Sequence, residues 1–539
     1  MAPYDQQLMP RGLRRRPAAR KTKGRSLVKT FPAPTRGWVT NQNLAAKVEG
    51  SALVMDNWFP TKLGARVRGG GKKVATIGSD PVERLFSYDA AGDQHFFAAS
   101  ETDIYDITIF DAGTAPSADV SSLTSGAWSV QQIGTAGGTF LVCVNGADTP
   151  RAFDGTNWST ATITGVTAAN LNHVTLYRNR LYFVEKDSLS IWYLSAGAYQ
   201  GAATELSLKG VFQKGGSLLF VATWSTADSG EGKDDFLVAV SNHGEVAVYS
   251  GAYPGDSSWD LVGRYEISPP LGPNAYMRAG GDLVIATYDG LVPISQAIAL
   301  DKDALALAAI SYPIEPNWRY EVQASNIDTK PWELVRFPRE DMLIVSLPHT
   351  GERLFVCNLH TGAWARYVGW NAQSLGMFNN FAYFGDGSGS IYRCESGGQD
   401  GEAAYTAKLC LAFDDHGSPA AHKQALMARA TMRAFFSTVP KISVAADYDT
   451  DFPAAPNAYT GAAVTGALWG TAIWGTSLWG DEGDSGGSDR RTVSTRWRSV
   501  TGAGFVLAPQ IQLTIGAGWK PDAEFVAFDL LYDQGEIVV

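Results

Sequence analysis

Gly483-Asp484-Ser485-Gly486-Gly487 has the clearest claim to covalent chemistry in this chain, because it sets a serine between glycines as a nucleophile stretch or elbow does. A nucleophilic serine needs a histidine base held by an acid, and an elbow needs a strand before it and a helix after it. Ser485 sits instead in an acidic run from Asp481 to Asp489, which reads as a flexible polar loop. The seven histidines, at 95, 173, 243, 349, 360, 416 and 422, form no His-Glu-x-x-His and no ligand-like pair. Asp414-Asp415-His416 would hold a cation only with ligands from another strand, and is expected to be a solvated turn. Asp386-Gly387-Ser388-Gly389-Ser390 lacks the further acids of a calcium loop and reads as a turn. Gly69-Gly70-Gly71-Lys72-Lys73 misses the spacing of a phosphate-binding loop and precedes no helix, so no nucleotide is expected there. No catalytic, cofactor-binding or metal-binding residue is assigned, and no enzymatic activity is expected.

Composition says what elements must carry these residues. In 539 residues there are 57 Gly and 16 Trp, while charged residues make up only 18%, which suits many short strands joined by tight turns. All-β is the expected class, with two or three packing units in a chain of this length. The four cysteines, at 143, 357, 394 and 410, include no Cys-x-x-Cys pair and are expected as reduced core residues of a protein assembled in a cytosol. In an unexported protein the Asn157-Trp158-Ser159 triplet has no meaning as a glycosylation acceptor. No apolar run reaches the roughly 18 to 20 residues of a membrane span, and the basic amino terminus leads into Thr-Phe-Pro-Ala-Pro rather than a signal-peptide core.

Charge is placed unevenly. Residues 1–36 carry ten Lys or Arg against Asp5 alone, a net +9, so the overall −10 leaves −19 on the remainder. An acidic body repels nucleic acid at long range, which excludes a sequence-specific DNA reader. Residues 1–45 read as an extended basic arm that orders against neighbours, with Arg14, Arg15, Arg16, Arg20, Lys21 and Lys23 as candidate docking residues on an acidic partner or, alternatively, contacts to packaged DNA.

Residues 46–400 read as strand, turn, strand, with 295–309 the best helical candidate. Hairpins are explicit where 236–240 and 245–249 flank Asn-His-Gly, where 282–288 and 291–294 flank Asp-Gly, and where 353–358 and 364–368 flank His-Thr-Gly. Tryptophan after a turn residue recurs at 128, 158, 259, 332 and 364, spacings that suggest a unit of about 34 residues. A β-propeller of about six to eight blades closes so many short strands without leaving edges, a pair of β-sandwiches being the rival. Residues 401–539 are expected to form a further β-rich platform domain, with strands within 405–413, 431–436, 511–515 and 525–532. Inside it Trp469, Trp474 and Trp479 each precede glycine at a five-residue repeat, which fits neither strand nor helix period; they are expected as core residues or as anchors at a subunit interface.

Three stretches carry a likeness. They are Ala52-Leu53-Val54-Met55-Asp56-Asn57-Trp58-Phe59-Pro60 with Arg66 and Arg68-Gly69-Gly70; the region from Tyr177-Arg178-Asn179-Arg180-Leu181-Tyr182-Phe183 through Ile191-Trp192-Tyr193-Leu194, Trp259-Asp260-Leu261-Val262-Gly263 and Pro270-Leu271-Gly272 to Pro293; and the Trp-Gly repeat. In these the chain resembles the nozzle or tail-hub proteins of short-tailed bacteriophages, over about two thirds of its length. The resemblance implies a propeller body, a hexameric ring, attachment below a portal or adaptor ring, tail fibres or spikes as further partners, and a channel that retains and then releases double-stranded DNA. It also implies a place in the virion after assembly in the host cytoplasm. The basic arm departs from that family pattern. The alternative from another class is a carbohydrate-binding or glycan-cleaving propeller, which needs two carboxylates at a defined separation.

Overall fold

The structure, a computed structural model, describes residues 26–45, 48–90, 92–225, 235–348, 352–434, 440–460 and 491–537. The run Leu237-Val238-Ala239-Val240 shows how the fold is built, since all four side chains are buried although neighbours point to opposite faces. Val238 and Val240 pack with Leu283 and Ile285 of the sheet that follows, while Leu237 and Ala239 pack with Tyr182 and Ile191 of the sheet before. A strand sandwiched between two sheets loses polar alternation, which is why these segments read as continuous apolar runs.

The same sharing recurs around a circle. Antiparallel meanders follow one another at Arg84–Ala90 to Ala118–Val120, Ser129–Thr135 to Trp158–Thr160, Leu171–Tyr177 to Thr204–Ser207, Leu218–Ser225 to Asp260–Glu266, and Tyr276–Ala279 to Gly290–Pro293. After Leu334–Phe337 to Trp364–Val368 comes the last, Ser374–Phe378 to Ser390–Arg393. Its core, Phe378, Tyr383 and Ile391, is shared with Leu85, Phe96 and Ala98 of the first, which closes the ring. The chain is an all-β propeller: six blades are sheets to themselves, and the place before the last is taken by four strands of a larger sheet. The last blade borrows its outermost strand, Lys72–Thr76, from the segment that precedes the first blade, so the two ends of the array are hydrogen-bonded together.

The fifth blade has three strands. Its outer edge is covered by a helical insert, Ile294–Ala299, Lys302–Ala308 and Glu315–Ala324. The Ile310 amide donates to the Leu291 carbonyl, the Leu291 amide to Ser311 Oγ, and Trp318 Nε1 to the Thr287 carbonyl at 2.9 Å. Covering removes an edge that would otherwise template pairing with another chain. The expected helix at 295–309 is present as two short helices, interrupted where Leu300 and Asp301 are extended.

The predicted hairpins at 236–249, 282–294 and 353–368 are all present. The 34-residue tryptophan unit is not. Trp158, Trp259 and Trp364 introduce or open outermost strands of alternate blades, 101 and 105 residues apart, which corresponds to about 50 residues a blade. Trp128 and Trp332 instead precede innermost strands and belong to a different series.

Strands after residue 400 do not form a sheet of their own. Tyr405–Leu411 pairs with Ala52–Asp56 and with Leu507–Ile515, and Asp56 pairs in parallel with Arg366, so propeller strands and carboxy-terminal strands share one eight-stranded sheet. A second eight-stranded sheet centres on the long strands Ala421–Ala434 and Ala523–Ile537. Both sheets enclose one core, in which Trp58, Leu409, Ala428 and Phe528 meet Phe355 and Trp364 of the propeller. The division expected at residue 400 is therefore crossed by hydrogen bonds and by core alike. Ser26–Pro32, expected as part of the arm that orders against neighbours, is a strand of this chain's own second sheet, with Ser26 opposite Asp533 and Pro32 opposite Ala527. All four cysteines are buried and unpaired, as core residues should be.

Candidate functional site

The propeller strands and the carboxy-terminal strands meet at a buried charge network built largely from the first resemblance stretch. Arg68 is fully buried and all five of its N–H donors are used. Nε donates to Asn57 Oδ1 at 2.8 Å; Nη1 to Asp400 Oδ1 and the Gly69 carbonyl; Nη2 to Asp400 Oδ2 at 2.6 Å and the Val368 carbonyl. The guanidinium lies 3.9 Å from the Tyr405 ring centroid and 4.8 Å from that of Trp370, whose Nε1 also donates to Asp400. A planar fork that is paired, stacked and satisfied in this way is specific to arginine.

Arg66 forms the second centre. It reaches Glu395 at 2.7 Å and Glu340 at 2.8 Å, with Lys520 completing the group through Glu340 at 2.7 Å. Burial would raise the Glu395 carboxyl, but Arg66, Lys520 and the Tyr367 hydroxyl hold it well below the usual carboxylate range. Glu395 also has a backbone φ of 54°, a left-handed conformation that costs a non-glycine residue energy and that the surrounding bonds impose.

Gly69-Gly70-Gly71 supplies the close approach. The Gly69 amide donates to Glu395 Oε2, the Gly71 amide to Asp400 Oδ1, and the Gly70 amide to the Gly397 carbonyl. A Cβ on Gly70 would run into the Gln399 backbone. Two of the loop's amides are thus spent on the chain's own carboxylates and the third on a backbone carbonyl.

A second polar cluster closes the propeller axis. His173, on the innermost strand of the third blade, lies 3.2 Å through Nε2 from the hydroxyl of Tyr276, on the innermost strand of the fifth. Arg84, on the innermost strand of the first blade, bonds Glu333 at 2.5 Å from the far side. Burial, reinforced by the charge of Arg84, pushes His173 down to about 3, so it stays neutral and serves as a hydrogen-bonding core residue.

Of the residues singled out in the sequence, Arg14, Arg15, Arg16, Arg20, Lys21, Lys23, Trp469, Trp474, Trp479 and Ser485 lie outside the described residues. Asp414-Asp415-His416 is a turn in which Asp414 pairs with Lys29 at 3.1 Å, and Asp386 caps its own turn through Ser388 and Ser390. Among the described residues no three His, Cys, Asp or Glu side chains are grouped to hold a metal ion, and no helix is long and apolar enough to cross a membrane. Sequence reasoning did not find the Arg68–Asp400 and Arg66–Glu395 pairs. Their signal was the arginine-glycine stretch itself, whose partners lie more than 300 residues away.

No family model matches the chain, and no curated protein does. Solved structures similar to it include the WD40 β-propeller domain of Doa1, at 10% identity and a TM-score of 0.37, covering 60% of this chain and 97% of that one. Another is BBS1N in complex with ARL6DN, at 12% identity and a TM-score of 0.38, covering 63% and 97%. A third is the computationally designed Ika8 protein, at 11% identity and a TM-score of 0.35, covering 60% and 99%. The class is that of the β-propeller, which the chain's own sheet order establishes.

Proposed function

We propose that this protein is a structural subunit of a short bacteriophage tail, a nozzle or hub ring below the portal or adaptor that retains and then releases genomic DNA. The observation that carries the reading is where the family-like residues fall. Asn57, Trp58, Arg66 and Arg68-Gly69-Gly70 are the residues that fasten the propeller strands to the carboxy-terminal strands. A subunit that must keep its shape under load gains from a junction whose register is set by directional, fully satisfied ionic bonds. In this reading the work is done by shape and large interfaces between copies, with no reaction. The subunit resides in the virion, meets the adaptor and tail fibres or spikes, and uses its basic amino-terminal residues to dock on an acidic neighbour.

The test is native mass spectrometry and negative-stain imaging of the purified full chain. Sixfold rings are the expected result. A monomer at micromolar concentration that releases reducing sugar from surface glycans would replace this reading with the carbohydrate-active one.

A further inference from the structure

The first blade carries a titratable cluster that the charge network does not use. His95, on the strand Asp93–Ala99, places Nδ1 2.7 Å from Asp106 Oδ2 and Nε2 3.2 Å from Asp93 Oδ1. Its ring stacks on Phe97 and meets the edge of Phe153 in the second blade at 5.0 Å. A neutral imidazole has one N–H and one lone pair, so only the imidazolium can donate to both carboxylates; the neutral form aims a lone pair at an anion.

Asp106 is also the root of a loop, residues 107–117, in which Ile107 is buried with its amide on the Phe96 carbonyl and the chain is largely exposed from Ile109 on. The other Asp106 oxygen accepts the Thr108 amide at 2.8 Å, and Thr108 Oγ1 accepts the Phe96 amide at 2.8 Å. Beyond that root the loop is thinly packed: Ile109 is 91% exposed, and a cavity of about 150 Å³ lies among Ala75, Ile107, Ile109 and Pro116. Phe110 rests on Tyr383 of the last blade, ring centroids 5.6 Å apart. We propose that His95 is a proton-operated latch, which as an imidazolium ties Asp93 to Asp106 and steadies loop 107–117, and which on losing its proton can donate to only one of the two carboxylates and so loosens that loop and its exposed isoleucine.

The groups facing His95 are Asp93 from its own strand, Asp106 and Asp119 from the two outer strands of the blade, Tyr88 from the innermost strand, and Asp154 from the second blade beside Tyr88. Burial acts to lower the imidazole, but the hydrogen bond and charge of Asp106, then those of Asp93, outweigh it and leave it above its ordinary 6.5. For a base raised on folding, the contribution is complete below the ordinary value and is lost as pH rises through the folded one. The latch is therefore closed in mild acid and opens on the alkaline side.

Hydrogen exchange of the full chain, followed by mass spectrometry and corrected for intrinsic rates, tests this at pH 5.5 and 8.5. Peptides from 104–120 should open more often at pH 8.5, by about tenfold for each unit that His95 is raised, while peptides from 235–250 stay unchanged. His95→Gln should exchange at the fast level at both pH values. Equal exchange of loop 107–117 in the native chain at the two pH values overturns the proposal, as does a pH dependence that survives His95→Gln. Should that variant fail to fold, selective ¹³C-histidine labelling of the native chain decides: a His95 midpoint above 6.5 supports the latch, and one at or below it ends it.

Discussion

Replacing Asp400 by leucine strands four donors at once: two N–H groups of Arg68, the Gly71 amide and Trp370 Nε1. Breaking a buried ion pair from one side costs about 3–5 kcal/mol, and each stranded neutral donor costs about 1–3 kcal/mol. With Arg68 fully buried and Asp400 only 14% exposed, water can relieve little of this, so a loss of at least about 5 kcal/mol is expected. Arg68→Met should cost less, about 3 kcal/mol, because the orphaned carboxylate keeps two donors, the Gly71 amide and Trp370 Nε1. The double variant is the discriminating case. An apolar pair of similar volume leaves no charge unpaired; the Gly71 and Trp370 donors and the Gly69 and Val368 carbonyls each lose a partner, so its loss should be about 3 kcal/mol, far below the sum of the singles. Urea unfolding reads this through tryptophan fluorescence, for which Trp370 is a local reporter, with circular dichroism as the global measure. Additive singles, or an Asp400→Leu cost under about 1 kcal/mol, would refute the view that this pair is desolvated and directional.

Two further outcomes are expected. The hairpin turn Arg178-Asn179 has φ of 44° and 59° at consecutive non-glycine residues, so replacing it by Asn-Gly should raise the urea midpoint by the equivalent of about 1 kcal/mol. His173, pushed down to about 3, leaves the unfolded chain binding more protons below pH 6.5; stability should therefore fall by about 1.4 kcal/mol per pH unit through that window, a slope that His173→Gln should remove from unfolding midpoints measured against pH.

What was legible in the sequence was local. Hairpins at 236–249, 282–294 and 353–368 were readable because turn residues and strand periodicity both act within about fifteen residues. The all-β class followed from the same short-range signals, whereas the propeller rested on the need to close the edges of so many short strands and on the family resemblance. Long-range pairing was not legible: nothing in Ala52–Asp56 announces that it will lie between Trp364–Val368 and Tyr405–Leu411, because any apolar strand offers the same backbone donors and acceptors. The break expected at residue 400 failed for that reason. The tryptophan period failed for another. Large aromatics fill space wherever blades meet, on inner and outer strands alike, so two interleaved series were read as one. Arg68 and Asp400 were visible as residues but not as a pair, since charge complementarity across 332 positions leaves no spacing to detect.

The closed axis bears on how a ring of such subunits would conduct DNA. His173 and Tyr276 reach each other from blades that are not neighbours, and Arg84 reaches Glu333 beside them, so this interior is filled by side chains rather than left as a bore. A duplex therefore has no path through an individual propeller. Under the tail-ring proposal the conduit must lie between copies, around the symmetry axis of the assembly, and its wall is made of outer surfaces. Those surfaces belong to a chain that carries −19 beyond residue 36. A wall of that sign holds phosphates weakly, because no counterions are released by contact with it, and so lets the duplex slide. Under the same proposal the basic residues before position 26 would act as a brake if they faced that lumen, which favours their docking on a neighbouring subunit over contact with DNA.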